Sequence, residues 1–434
     1  MVIALFHVPF AWSLSSSAIM GNAFHLVDFF LVLSGFVMTH GFEARIGRDL
    51  SCRNFILDRL ARIYPLHFFF LMVFLAYECT KLLVSYYGIQ LTKPVFVDNN
   101  LATFISNLFL VHSMGLHDNY SYNVPSWTVS VEFVTYCLFG FALLTARSAN
   151  TRILTAIAAV ILSSVFLLMV PQKFMHATYD YGLFRGVYGF ALGYLAYHLS
   201  IRLEAGGFKL PGASGFEFIA LIAVSIFIVN VTDASPFAVT SSMLFALTMV
   251  VFSFDQGIFS KMLCARGFQS IGNWSYPIYL GHFLIISLIG IVIRHGMGYP
   301  DILKLPAEAG NYFIIVYVMG TVSLAALLHV KFEMPAKHWA YPRMKKLGDL
   351  VEDQLSLLRP RIKPIPVAAM AIILTYALLL AGQAIGTSHH QSRNNIANTG
   401  GVYLDAWSAT YLDRPSPLAQ RMHERAEGSS SSRF

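Results

Sequence analysis

His7 stands near the start of the chain inside the apolar run Met1–Trp12, and an imidazole in such surroundings is a candidate for function because burying it is costly. A histidine is also the side chain best suited to take and return a proton near neutral pH. Six further segments place reactive groups where apolar ones would be expected. In His25-Leu-Val-Asp28-Phe-Phe-Leu-Val-Leu-Ser-Gly-Phe36 an aspartate opens an apolar helix and needs a partner or water, although Asp also favours a first helical turn for its charge alone. His25 reads as interfacial. Arg59-Leu-Ala-Arg62-Ile-Tyr-Pro65 sets two guanidinium forks at i and i+3 on one helix face, a geometry suited to phosphate oxygens and equally to plain cytosolic anchoring. Pro125-Ser126-Trp127-Thr128-Val-Ser130-Val-Glu132 buries a carboxylate two turns into a helix, with Ser126 and Ser130 as nearby hydroxyls and Trp127 suited to an interface belt. Arg185-Gly-Val-Tyr-Gly-Phe190-Ala-Leu-Gly193 begins with a cation for which snorkelling to the headgroups is the simplest account. Ser275-Tyr276-Pro-Ile-Tyr279-Leu-Gly-His282 spaces two tyrosines and a histidine at i, i+3 and i+6, and the histidine reads most simply as a hydrogen-bonded core residue. Glu333-Met-Pro335 reads as a helix stop before proline.

These groups need apolar elements to hold them, and the composition supplies little else. Hydrophobic residues make up 56% of 434 positions and charged residues 12%, against about 25% charged in an average soluble domain. The chain reads as a polytopic membrane protein. Its expected fold class is all-α, a transmembrane helical bundle of about ten to eleven spans with the first incomplete, since a span takes about 20 apolar residues. The apolar stretches fall at 1–12, 24–42, 64–84, 126–145, 151–170, 183–199, 215–232, 236–254, 273–294, 311–331 and 366–386. The run 101–112 is too short to cross and is expected as an interfacial helix in a long outer loop.

Lysine and arginine test this count. Loops after the even-numbered spans carry nineteen of them, from Arg45 to Lys363, whereas the opposite side, leaving out the tail, carries five (Lys81, Lys93, Lys173, Arg294 and Lys304). That bias places the N-terminus in the cytosol and the tail outside the cytoplasmic membrane. It also explains the net charge of +7 without any nucleic-acid partner. Four cysteines (Cys52, Cys79, Cys137 and Cys264) have no paired spacing, so neither a metal site nor a disulfide framework is expected. No cleavable signal peptide is visible. The domain reading is therefore 1–335 as the membrane domain, 336–365 as a basic cytosolic loop, 366–386 as one further span, and 387–434 as an extracytoplasmic tail expected to be disordered.

Taken in order, the motifs resemble the acyltransferase-3 family of integral membrane O-acyltransferases, from His7 to about Pro335. They are a histidine in span one, Asp-Phe-Phe…Ser-Gly-Phe, Arg-x-x-Arg-Ile-x-Pro, Trp-Thr-x-Ser-x-Glu, Arg…Gly-Phe…Gly, Ser-Tyr-x-Ile-Tyr-Leu-x-His and Glu-x-Pro. The resemblance implies transfer of an acyl group, usually acetyl, from acyl-CoA on the cytosolic side to a hydroxyl of a glycan or lipid-linked sugar. Acyl-CoA is then a donor substrate, with no bound cofactor and no metal, and membrane lipid surrounds the protein. By the same resemblance His7 is the catalytic histidine, Asp28 the acidic residue of span two, and Arg59 and Arg62 the pair at the CoA end. Asp28 or Glu132 would fix the tautomer of His7, and Arg185, Tyr276 or Tyr279 would donate to the thioester oxyanion. Trp127, His282 and Glu333 complete the candidates. The family pattern also carries an arginine upstream of the histidine, at a position preceding Met1, so an in-frame segment completing span one is expected. A secondary transporter is the alternative, since intramembrane His, Asp, Glu and Arg suit one too. It predicts matched halves with broken helices, and no such internal symmetry is visible in the sequence.

Overall fold

A computed structural model describes residues 1–88, 94–146, 148–169, 174–232, 235–299 and 301–358. The described residues form helices and their connections: α1 (Val2–Phe6), α2 (Leu26–Phe42), α3 (Cys52–Tyr86), α4 (Leu101–Leu108), α5 (Trp127–Thr145), α6 (Ala149–Met169), α7 (Gly182–Ala205), α8 (Ala213–Asn230), α9 (Ser241–Ser253), α10 (Ser275–Ile291), α11 (Ala307–Leu328) and α12 (Met334–Leu358), with shorter helical turns between them. Helices are what lipid permits, because each closes its own backbone hydrogen bonds. Among the described residues, eight helical stretches are long and apolar enough to cross a membrane, and the protein is a multi-pass membrane protein. They account for the stretches expected at 24–42, 64–84, 126–145, 151–170, 215–232, 236–254, 273–294 and 311–331. The stretch 366–386 and the tail 387–434 lie outside the described residues.

The stretch 183–199 behaves differently. It is helical as α7, but Arg185, Arg202 and Glu204 dilute its apolar character, and it sits at the centre of the bundle instead of facing lipid. Its glycines let neighbours approach. Gly186 lies against Val131 of α5, Gly189 against Leu31 of α2, and Gly193 against the Val32 carbonyl, while Gly35 of α2 meets the Phe190 carbonyl in return. Small residues on facing helices are the usual device for close packing where lipid removes any hydrophobic drive between helices. By contrast α6 and α8 expose Leu154, Ile161, Leu162, Phe218, Ile219 and Ile226, the side chains of lipid-facing helices.

The short N-terminal helix is locked in place. Ala4, Val8, Phe10 and Trp12 pack with Ile286, Ile289, Ile293 and Tyr317, and the Tyr317 hydroxyl donates to the Ala4 carbonyl at 2.7 Å. Run 101–112 forms only the short helix α4, opened by Asn100, whose side chain accepts from the Thr103 amide. The connection carrying α4 is clipped to α3 by Glu78, which accepts from Asn99 Nδ2 at 2.7 Å, Lys81 Nζ at 2.8 Å and the Phe96 amide at 3.2 Å.

Glu333 does not stop a helix. Residues His329–Glu333 form a π-turn, and the chain continues as α12. The wider turn accommodates the backbone bond that Pro335 cannot donate, so helical structure passes through the proline. The basic segment from 336, drawn from the sequence as loop, is helical as far as Leu358, and its Asp349 pairs with Arg53 of α3.

Candidate active site

The His7 ring follows α1 directly. Its Nδ1 lies 2.8 Å from the Ile3 carbonyl and 3.2 Å from His282 Nε2, and the two ring centroids are 5.0 Å apart. His282, fully buried in α10, has its own Nδ1 3.3 Å from the Ile278 carbonyl. It is a buried, hydrogen-bonded residue as its position suggested, but its partner is the other candidate histidine. The Tyr279 ring lies 5.9 Å from His282, and its hydroxyl reaches Thr128 of α5.

Asp28 is committed elsewhere. Arg185 Nε donates to Asp28 Oδ1 at 2.6 Å and Arg185 Nη2 to Oδ2 at 3.1 Å, a two-pronged contact between side chains 2% and 0% exposed. Arg185 also donates to the Phe24 carbonyl at 3.0 Å, Ser241 donates to Asp28 at 3.4 Å, and the guanidinium carbon sits 5.4 Å from the Trp127 ring centroid. Three sequence expectations change as a result. Arg185 does not snorkel, because a buried carboxylate supplies what the headgroups would. Trp127 is buried beneath that guanidinium and is not part of an interface belt. His25 is fully buried, its ring 4.1 Å from that of Phe24 and its Nε2 3.2 Å from the Val231 carbonyl, so it is not interfacial.

Glu132 finds hydroxyls, though not those expected. Ser34 of α2 donates to it at 3.1 Å, and Tyr136 donates as well. Ser126 and Ser130 instead turn to the connection around α4, where Ser126 Oγ lies 3.2 Å from His112 Nε2 and Ser130 donates to the Leu110 carbonyl at 2.8 Å. Helix geometry explains the split. Residues four apart share a face, so 128, 132 and 136 line one side of α5 and 126 and 130 another.

The remaining candidates lie toward the N-terminal end of α3. Tyr276 donates to the Ile63 carbonyl at 2.6 Å and lies within electrostatic range of Glu132, Arg62 and Glu333. Arg59 and Arg62 do not share one environment. Arg59 is 7% exposed, pairs with Asp58 and lies 4.6 Å from the Phe42 ring centroid, whereas Arg62 is exposed. The rotation of three residues on a helix is enough to turn one toward α2 and the other outward. Glu333 is buried and lies 2.8 Å from His329 Nδ1.

Ser34, Tyr136, Ser241 and His329 join the site without having been singled out in sequence. Tyr136 and His329 stand four residues from Glu132 and Glu333, a spacing that would have found them. Ser34 and Ser241 come from other helices and carry no local signal.

Arg62, Tyr276, Glu132, Tyr279, His282 and His7, contributed by α3, α10, α5 and the turn after α1, thus form a series in which each group lies within contact or electrostatic range of the next. Residues 1–330 match the family model described as an acyltransferase domain. The chain belongs to the acyltransferase-3 family. Among curated proteins it is similar to YrhL of Bacillus subtilis (strain 168), a candidate peptidoglycan O-acetyltransferase, with 24% identity over 365 residues covering 77% of this chain and 52% of that protein. It is also similar to the peptidoglycan O-acetyltransferase OatA of Listeria monocytogenes, with 22% identity over 340 residues covering 72% of this chain and 51% of that one. The chain therefore spans about half the length of these curated relatives. No solved structure matches it. Membership of an acyltransferase family favours group transfer over solute transport as the use of these intramembrane polar groups.

Proposed function

We propose that the protein is a membrane O-acetyltransferase. In this reading it takes an acetyl group from acetyl-CoA at the cytosolic face of the cytoplasmic membrane and places it on a hydroxyl of an extracytoplasmic or lipid-linked glycan, with the N-terminus cytosolic. The single observation that carries this is the polar series from Arg62 to His7 through the bundle. A donor and an acceptor on opposite sides need such a path. Six residues of α10 separate Tyr276 from His282, a rise of about 9 Å, which an extended pantetheine arm can cover. The names of the relatives support a glycan as acceptor.

The chemistry follows from the groups present. CoA phosphates are held by Arg59 and Arg62, whose guanidinium groups suit them. The acceptor hydroxyl is a poor nucleophile until His7 takes its proton as the oxygen attacks the thioester carbonyl. A new C–O bond forms, the C–S bond breaks, and the proton passes from His7 to the departing thiolate, so the reaction is proton-neutral. Tyr279 or Arg185 donates to the oxyanion, whereas the Tyr276 hydroxyl is given to the Ile63 carbonyl.

Membranes containing the full-length chain should move radiolabel from acetyl-CoA into the glycan fraction. His7→Ala should abolish that transfer, by about 10³-fold or more as for other general bases acting in concert with binding groups, while the protein level in the membrane stays unchanged. No label transfer by the wild-type chain would remove the acetyltransferase reading. Retained transfer by His7→Ala would remove His7 from the chemistry.

A further inference from the structure

Two main-chain carbonyls fix where the protons of the His7–His282 pair lie. His7 Nδ1 is 2.8 Å from the Ile3 carbonyl and His282 Nδ1 is 3.3 Å from the Ile278 carbonyl, each four residues back in the chain. A carbonyl oxygen only accepts, so each Nδ1 carries the hydrogen. The opposite tautomers would set lone pair against lone pair in both places. With both rings protonated at Nδ1, the lone pair of His282 sits on Nε2, and that atom is 3.2 Å from His7 Nδ1. The N–H of His7 therefore has two acceptors, and the basic lone pair of His7 is on Nε2.

We infer that His282 is a positioning residue for His7, filling with a neutral imidazole the place that a carboxylate fills in a Ser-His-Asp triad. The inference rests on the reading of His7 as the base. Asp28, the carboxylate the sequence offers for this role, already holds Arg185 through both of its oxygens. Glu132 is engaged by Ser34 and Tyr136. When His7 Nε2 takes the proton of the acceptor hydroxyl, the Nδ1–H of the resulting imidazolium becomes a stronger donor, and His282 Nε2 receives it. A neutral partner shares the positive charge without neutralising it, so the proton is readily passed on to the thiolate. The Ile3 carbonyl keeps the tautomer; His282 supports the charged form and the angle of the ring.

The test compares His282→Gln, which keeps an accepting oxygen, with His282→Leu, which has similar bulk and none. The full-length chain in membranes is assayed with labelled acetyl-CoA as donor and isolated peptidoglycan glycan strands as acceptor, and kcat and KM are measured separately. His282→Leu should lose about 10- to 100-fold in kcat, the worth of one hydrogen bond to a charged group, with KM for acetyl-CoA unchanged. His282→Gln should recover most of that loss. If the leucine variant does not accumulate in the membrane, His282→Met gives the same comparison. Equal loss in the glutamine and leucine variants, or a change in KM alone, would overturn the inference by making the role one of packing or donor binding. Full activity in His282→Leu while His7→Ala is dead overturns it too and leaves the acetyltransferase reading standing. Absence of transfer by the wild-type chain removes both.

Discussion

Arg185 and Asp28 form a pair in which each charge depends on the other. Both are out of contact with solvent, and the cost of burying them is offset by the two-pronged hydrogen bond together with the Phe24 carbonyl, Ser241 and the Trp127 ring. Removing one partner should therefore cost more than removing both. Asp28→Asn should lower stability by about 3–5 kcal/mol, read as a drop in the thermal midpoint of the detergent-solubilised protein, and the double change Asp28→Leu with Arg185→Met should lose less. A single and a double variant that melt together would show the charges to be energetically idle. At this scale the sequence discloses reactive types and hides their partners. An ionisable group in an apolar run announces itself, which is why His7, Asp28, Glu132 and Arg185 were legible. Asp28 and Arg185 are 157 residues apart in the chain, and no local pattern links them. The spacing of Ser126 and Ser130 to Glu132 misled, because proximity in sequence was read without regard to helix face.

Helices α2 and α7 flank the polar series: α2 carries Ser34, which donates to Glu132, and Asp28, which holds Arg185 of α7. Their contact is set by Gly35 and Gly193, where an added Cβ would run into the main chain of the opposite helix. Gly193→Val should push the helices apart, with a cost of about 1–3 kcal/mol or more in stability as for overpacked cores, and transfer should fall with it because Arg185 and Asp28 are displaced. Unchanged stability and activity in that variant would mean that the close approach is not required. Hydropathy located the lipid-facing helices within a few residues. It was weakest for α7, which faces protein on most sides and need not be strongly apolar. It also had no means of seeing that α11 and α12 run on through a proline.

Across the whole molecule the two ends of the polar series differ in character. Toward α10 and α1 the groups are wholly or partly buried, whereas Arg62 is exposed and Arg59 is occupied by Asp58 and the Phe42 ring. If CoA phosphates dock there, the exposed arginine should matter more. Arg62→Ala should raise KM for acetyl-CoA by about 5- to 10-fold, roughly 1 kcal/mol, with little change in kcat, and should blunt the rise in KM that added salt causes in the wild-type protein. A larger effect from Arg59→Ala, or no salt dependence, would move the donor site away from Arg62. The π-turn at His329–Glu333 has a further effect at this scale. A helix advances about 100° per residue, so one extra residue in a turn resets the phase of everything that follows. Along an uninterrupted α-helical path of the same length, Asp349 and Gly348 would point roughly a quarter-turn away from Arg53 and Leu57, which they now meet. The irregular turn works as a phase shifter, and it is what brings the last described helix back against the arginine-bearing end of α3.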